Sequence, residues 1–155
     1  DKLLKMGANI KLLDPTSMEV SCKNRLNSIN FVTQPYPGFP TDMQAQFMAL
    51  LTIAEGTSMV TETVFENRFM HVDELRRMGA KIKIEGRTSV VEGQEKLQGC
   101  QVKATDLRAG AAVVLAGLVA DGVTQIGYIH HIDRGYDNLV QKLVSLGADI
   151  KRTND

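Results

Sequence analysis

The residues best placed to do chemistry in this 155-residue sequence are one aspartate and three arginines, each beside a predicted helix or strand end. Asp42 closes the stretch PYPGFPTD, in which Pro35, Pro37, Gly38 and Pro40 fall within six positions. Thr41 is a suitable N-cap for the apolar pattern that follows. Its hydroxyl can accept an amide hydrogen of the first turn, with Gln44 completing a capping box. Asp42 is then expected at the first helical position, where the positive helix end favours a carboxylate and lowers its pKa. An acidic first turn is one reading. A stiff loop that delivers a carboxylate for chemistry is the other, because an ordinary cap does not need so many prolines.

Arg68 follows a predicted strand in TETVFENRF, where it can pair with Glu62 or Glu66 or stay in solvent. Arg108, expected at the third position of a second helix, opposes the helix dipole and so needs a partner: Asp106 or an anionic ligand. Arg134, in HIDRGYDN, lies on a glycine-containing turn. Two arginines on matching connections can fork a carboxylate or phosphate, and two unrelated surface ion pairs would look the same in sequence. His71, His130 and His131 do not read as a metal site. The last two are adjacent, so a strand would point them to opposite faces, and no HExxH or cysteine partner accompanies them. Cys22 and Cys100 lack a CxxC spacing or a neighbouring histidine and read as structural, a reduced pair in the plain reading and one disulfide in the alternative. There is no Walker loop and no GxGxxG.

The elements that must carry these residues repeat along the chain. KMGANIK, RMGAKIK and SLGADIK share one pattern, a helix end, a glycine, then a strand; Gly7, Gly79 and Gly147 lie 72 and 68 residues apart. Each glycine suits the left-handed position that ends a helix. PTDMQAQFMALLTIAEG and ATDLRAGAAVVLAGLVADG also correspond, placing Asp42 and Asp106 at matching positions 64 residues apart. Periodicity predicts strands at 28–33, 58–64, 97–103, 123–129 and 149–152, and helices at 42–55, 71–78, 106–120 and 136–146. A hairpin is predicted at 81–85 and 88–92. The order is β-α-β-α-β-β, an α+β arrangement, with a second copy cut short. Residues 2–6, 9–13 and 18–22 supply the last helix and hairpin of an earlier copy. The divisions expected are 1–22, 23–94 and 95–155. Met43, Phe47, Leu50, Leu51 and Ala54 mark one buried helix face, and Val72, Leu75 and Met78 another, with Asp73 and Arg77 able to pair on its wet side. Residues 109–120, apolar nearly all round, read as an enclosed core helix.

The 18 basic and 18 acidic residues balance, which argues against a nucleic-acid or acidic-membrane partner. No apolar run is long enough for a membrane span and the first residues hold no signal-peptide core, so a reduced, cytoplasmic setting is expected. The absence of an initiating Met points to a processed or partial chain.

PGFPTDMQAQF, GTSMVTETVFENRFMHVDELRRMGA, KATDLRAGAA and HIDRGYDNLVQKLVSLGA closely resemble the C-terminal part of the bacterial UDP-N-acetylglucosamine 1-carboxyvinyltransferases, an enolpyruvyl transferase family of peptidoglycan synthesis. The resemblance runs from Leu3 to about Arg152. The sister family acting on shikimate 3-phosphate shares the fold but differs around PGFPTD. The resemblance implies an inside-out α/β barrel pair built of β-α-β-α-β-β units with helices packed within, and an upstream domain that closes over the substrates.

By matching motif, Asp42 is similar to the carboxylate that contacts the accepting sugar hydroxyl and serves as base. Val64 is similar to a residue whose backbone helps hold the UDP-sugar. Arg108 and Arg134 resemble the pair gripping the phosphoenolpyruvate carboxylate, and Arg68 a third active-site arginine. The implied reaction adds the sugar 3-hydroxyl to C2 of phosphoenolpyruvate, protonates C3, then releases phosphate, with no cofactor and no metal. The family's loop cysteine and its upstream phosphate-binding lysine and arginine have no counterparts here, and Tyr36 stands where many members have histidine. The chain by itself is therefore expected to hold about half of the cleft and to be inactive. A nucleotide-sugar-binding module without catalysis is the alternative, as is the shikimate 3-phosphate enzyme.

Overall fold

A computed structural model of the chain describes residues 1–153. Helix α1 (Lys2–Lys5) leads into an antiparallel hairpin of β1 (Asn9–Asp14) and β2 (Ser17–Ser21). The next unit runs β3 (Phe31–Val32), α2 (Gln44–Leu51), β4 (Thr57–Thr61), α3 (His71–Arg77), β5 (Lys81–Glu85) and β6 (Thr88–Glu92). Its strands form one sheet in the order β3-β4-β6-β5, with β3 parallel to β4 across α2 and the other pairs antiparallel. The last unit restarts with β7 (Leu97–Gln98), β8 (Gln101–Lys103), α4 (Leu107–Val119), β9 (Ala120–Asp121) and β10 (Gln125–Gly127). Here β7 pairs in parallel with β9, and β8 with β10, across α4. Two short helices follow, α5 (His130–Asp133) and α6 (Leu139–Ser145).

The repeat expected from the glycines is therefore present. Gly7, Gly79 and Gly147 each end a helix with φ of +97°, +92° and +94°, a backbone region that side chains with a Cβ resist. The 81–85 and 88–92 hairpin stands where the alternation places it, turning at Gly86.

Helix α2 packs against β6 and α3 against β5. α2 packs on α4, and α3 packs on α4 as well. Met48, Leu51, Val60, Leu75, Met78, Val91, Leu97 and Val113 are almost wholly buried in this core. Each contributes on the order of 1.5–3 kcal/mol by leaving water. Close approach matters at Gly110 of α4, where a Cβ would come within 2.5 Å of the Ile132 side chain on α5. α4 is enclosed along Ala109, Ala112, Val113 and Ala116, but within this chain its Leu115, Leu118 and Val119 side is open, a departure from all-round enclosure.

Several other expectations are corrected. The helix predicted from residue 42 starts as a 3-10 turn, Thr41–Met43, and becomes α-helical only at Gln44. The tighter turn rotates the following residues, since 3-10 and α-helices advance by different angles per residue. Of the predicted face Leu51 and Ala54 are buried and Phe47 and Leu50 pack against the core, but Met43 lies exposed and Gln44, Ala45, Met48 and Ala49 join the buried side. The 97–103 strand breaks at Gly99 and Cys100, where Gly99 backs directly onto the main chain of Val123. Asp73 pairs with Arg76 at 3.0 Å rather than with Arg77. Residues 130–133 are helical, so His130 and His131 lie on one short helix with rings 4.1 Å apart. Residues 149–152 form no strand; among the described residues no ladder partner is available to them.

Candidate active site

Asp42 sits in the 3-10 turn with its carboxylate largely in solvent. Thr41 does not cap the helix as expected, because its hydroxyl points elsewhere: it donates to Glu62 Oε2 at 2.9 Å and accepts from Arg68 Nη1 at 3.2 Å. The same Arg68 donates from Nη2 to Asp42 Oδ1 at 3.1 Å. Arg108 Nε reaches that same oxygen at 2.5 Å. Two guanidinium groups therefore hold Asp42 by one oxygen. Among the described residues no hydrogen bond reaches its second oxygen, which leaves Oδ2 of this exposed side chain without a partner.

Each arginine is delivered by a local cause. Asp106 is the N-cap of α4, and its Oδ1 accepts from the backbone N–H groups of Arg108 at 2.7 Å and Ala109 at 2.8 Å. That cap sets Arg108 at the second helical position, not the third, and leaves its side chain to pair with Asp42 rather than with Asp106. Arg68 lies with its guanidinium 4.4 Å above the Phe65 ring, a cation–π contact that restricts its swing.

The electrostatics follow from the contacts. The Arg108 hydrogen bond holds the Asp42 carboxyl below its ordinary range, against the opposing pull of desolvation; the positive charge of Arg68 adds to the lowering. Arg108 is shifted upward by the same bond.

Arg134 terminates α5 and is exposed, with no side-chain hydrogen bond or ion pair among the described residues. Its turn lies against the start of α4. A Cβ on Gly135 would meet the Leu107 side chain at 2.8 Å, and the Tyr136 hydroxyl accepts from Gln46 Nε2 of α2 at 3.2 Å. Arg108 and Arg134 thus come from neighbouring segments, one guanidinium engaged and one free. Val64 follows β4. Its N–H donates to Glu62 Oε1 at 2.8 Å, so its carbonyl is the backbone group left for a ligand.

Glu62 is the functional candidate that sequence reasoning did not single out. It is 1% exposed. Oε1 accepts from the Thr33 hydroxyl at 2.8 Å and from the N–H groups of Val64 and Phe65 at 2.8 and 3.1 Å; Oε2 accepts from Thr41. Desolvation pushes its pKa up, yet the bonds from Phe65, Thr33, Thr41 and Val64 outweigh that and leave it below the ordinary value. The available signal was period two: Ser58, Val60 and Glu62 occupy the inward positions on and just beyond β4.

The histidines stand apart from this cluster. His71 is buried, its Nε2 3.3 Å from Met48 Sδ. Among the described residues no three His, Cys, Asp or Glu side chains are grouped to hold a metal. Cys22 is exposed and Cys100 half-buried, both as free thiols.

Comparison with known proteins adds to this geometry. The EPSP synthase (3-phosphoshikimate 1-carboxyvinyltransferase) family matches residues 1–143. UDP-N-acetylglucosamine 1-carboxyvinyltransferase 2 of Carboxydothermus hydrogenoformans is 60% identical over 155 residues, covering 99% of this chain and 37% of that protein. UDP-N-acetylglucosamine 1-carboxyvinyltransferase of Gluconobacter oxydans is 52% identical, over 97% of this chain and 38% of its own length. The chain thus spans a little over a third of the curated relatives it matches. Among solved structures, the enolpyruvyl transferase NikO from Streptomyces tendae superposes with a TM-score of 0.87 at 32% identity, covering 98% of this chain and 35% of that one. EPSP synthase from Acinetobacter baumannii, at 19% identity and a TM-score of 0.60 over 86% of this chain and 34% of its own, shares the fold.

Proposed function

Because the chain belongs to the EPSP synthase family of carboxyvinyltransferases, we propose that it supplies one wall of a cleft that transfers the enolpyruvyl group of phosphoenolpyruvate to the 3-hydroxyl of UDP-N-acetylglucosamine. Phosphate is released, and the product enters peptidoglycan synthesis. The observation that carries this reading is Asp42: an exposed carboxylate fixed through Oδ1 by Arg68 and Arg108, with Oδ2 free. The names of relatives more than half identical to it support the choice of sugar.

In this reading Asp42 Oδ2 accepts the hydrogen of the sugar hydroxyl as its oxygen bonds to C2 of phosphoenolpyruvate. C3 takes a proton, giving a tetrahedral adduct. Loss of a proton from C3 and of phosphate from C2 then restores the double bond. Arg108 and Arg134 grip the phosphoenolpyruvate carboxylate. As Arg108 turns to that carboxylate, Asp42 loses the hydrogen bond that most depresses its pKa and becomes a better acceptor when both substrates are present. The Val64 carbonyl accepts from the UDP-sugar.

The rest of the proposal concerns the whole protein. Residues 1–22 end one repeat unit, 23–94 form a complete one and 95–155 the last. A further domain of the same protein closes the cleft, and the enzyme works in the cytoplasm. No helix among the described residues is long and apolar enough to cross a membrane.

The test is phosphate release by the full-length protein supplied with phosphoenolpyruvate and one acceptor at a time. Release is expected with UDP-N-acetylglucosamine. Release with shikimate 3-phosphate instead assigns the sister activity, and saturable binding of UDP-N-acetylglucosamine without release assigns a binding module; either result overturns the reading.

A further inference from the structure

Glu62 is a carboxylate at 1% exposure that, among the described residues, makes no hydrogen bond or ion pair with an arginine or lysine. A residue needed only to fill space at the end of β4 would be apolar, since burying a charge carries a desolvation cost that packing does not require. Its bonds instead tie the loop that directly follows it, through Val64 and Phe65, to two segments distant in sequence: the end of β3 through Thr33 and the 3-10 turn through Thr41. Those segments carry three of the candidate site residues, Asp42, Val64 and Arg68.

We propose that Glu62 is a positioning residue that sets Asp42, Arg68 and the Val64 carbonyl in register with one another. This rests on the reading of Asp42 given above. Glu62 reaches Arg68 by two routes. In the first, the Thr41 hydroxyl has one hydrogen and gives it to Glu62 Oε2, so towards Arg68 it can only accept. Arg68 is thereby oriented with Nη1 on Thr41 and Nη2 on Asp42. In the second, Glu62 fixes the Phe65 backbone, and the Phe65 ring lies under the Arg68 guanidinium. By taking the Val64 N–H, Glu62 also leaves a carbonyl rather than a donor as that residue's free backbone group.

The bond pattern separates positioning from packing through three variants of the full-length enzyme. In Glu62→Gln the amide oxygen can keep the Thr33, Val64 and Phe65 bonds, but an NH2 group now meets the Thr41 hydroxyl. That hydroxyl must then accept from it as well as from Arg68, and its own hydrogen loses the Glu62 acceptor that oriented it. Thr41→Val deletes the relay alone. Glu62→Ala leaves the Val64 and Phe65 N–H groups without their acceptor. For Glu62→Gln and Thr41→Val we expect kcat per titrated active site to fall roughly 10-fold, and for Glu62→Ala roughly 100-fold, the scale of a misplaced reacting group. The KM for phosphoenolpyruvate should stay within about twofold, because Arg108 and Arg134 are untouched.

The acid limb of kcat/KM supplies a readout that a merely structural role would not move. Arg68 and Arg108 are the charged groups that bond to Asp42, and both lower its pKa. Loosening Arg68 raises that pKa, so the limb moves to higher pH in Glu62→Gln and in Thr41→Val. Should Glu62→Gln fail to fold, Thr41→Val makes the same test. Wild-type kcat per active site with an unmoved limb overturns the proposal, whatever happens to Tm. Asp42→Asn, assayed beside them, separates the two levels. If it keeps full turnover, the functional reading fails and this proposal with it. If it is inactive while the other variants match wild type, this proposal alone fails.

Discussion

The two helix mouths of this chain begin with the same dipeptide and use it in opposite ways. In Thr105-Asp106 the aspartate turns inward onto its own helix, accepting two backbone N–H groups at 2.7 and 2.8 Å. In Thr41-Asp42 the threonine side chain is drawn to Glu62, no side chain caps the turn, and Asp42 faces outward to two arginines. The first mouth follows PYPGFP and the second follows CQVKA. The prolines of PYPGFP restrict the approach to Asp42, whereas Asp106, soon after the end of β8, takes the extended backbone of a cap, with φ −155° and ψ −177°. The capped mouth in turn serves the open one, because capping at Asp106 places Arg108 within reach of Asp42. A repeated motif has divided into a structural copy and a presented copy.

The largest expected effect breaks the presented copy. Asp42→Asn in the full-length protein keeps shape and a possible hydrogen bond but removes the charged acceptor. Phosphate release should fall by about 10²- to 10⁴-fold, the usual contribution of a general base. Stability should change by less than about 0.5 kcal/mol, since the side chain is exposed. Turnover that survives the substitution sinks the assignment of Asp42.

Acid probes the capped side. His71 is buried close enough to Asp106 to feel its charge; burial pushes its pKa down to about 4, with Asp106 opposing weakly. The unfolded chain takes up this proton near 6.5 and the folded chain only near 4. Stability from the neutral imidazole is therefore complete above about pH 6.5 and is lost as pH falls through that window. The loss is on the order of 3 kcal/mol. Urea unfolding of wild type and His71→Leu across that range should give curves that diverge, the variant lacking this component of the slope. Parallel curves would show that His71 is not the titrating group.

Much of this organisation was legible because it is local. The helix-ending glycines, the hairpin turning at Gly86 and the buried triad Val72, Leu75 and Met78 each follow from spacing within a few residues. Asp42 and Arg108 were legible too, as charges at odds with simple packing. What escaped was settled at a distance. Thr41 has the residue type of a cap, but Glu62, 21 positions away, provides a stronger acceptor for its hydroxyl. Arg68 was paired in expectation with nearby acids, whereas its partner Asp42 lies 26 positions earlier. The helical turn at 130–133 lies where Ile132 packs onto Gly110, a contact without local signature.

Truncating the capped copy should cost moderately. Asp106→Ala removes the acceptor of two N–H groups at the start of α4, and the loss of such a cap is worth about 1 kcal/mol. Because the cap also fixes the second helical position, Arg108 should pair less firmly with Asp42. A modest fall in turnover should then accompany the lowered Tm. A lowered Tm with fully intact turnover would disconnect the two mouths.

The smallest expected effect is also the sharpest comparison. Asp106→Asn is the same chemical change as Asp42→Asn, made at the matching place in the other repeat. Asparagine caps a helix nearly as well as aspartate, so the cost should be a few tenths of a kcal/mol, mostly from the lost charge at the positive helix end. Turnover should stay within about twofold of wild type, because the amide oxygen can still accept from Arg108 and Ala109 and keep Arg108 in place. Loss of one negative charge thus stops the chemistry at one mouth and passes almost unnoticed at the other. Equal losses of turnover from the two substitutions would mean that the aspartates act as one electrostatic unit around Arg108, and that the division between structural and presented copies is false.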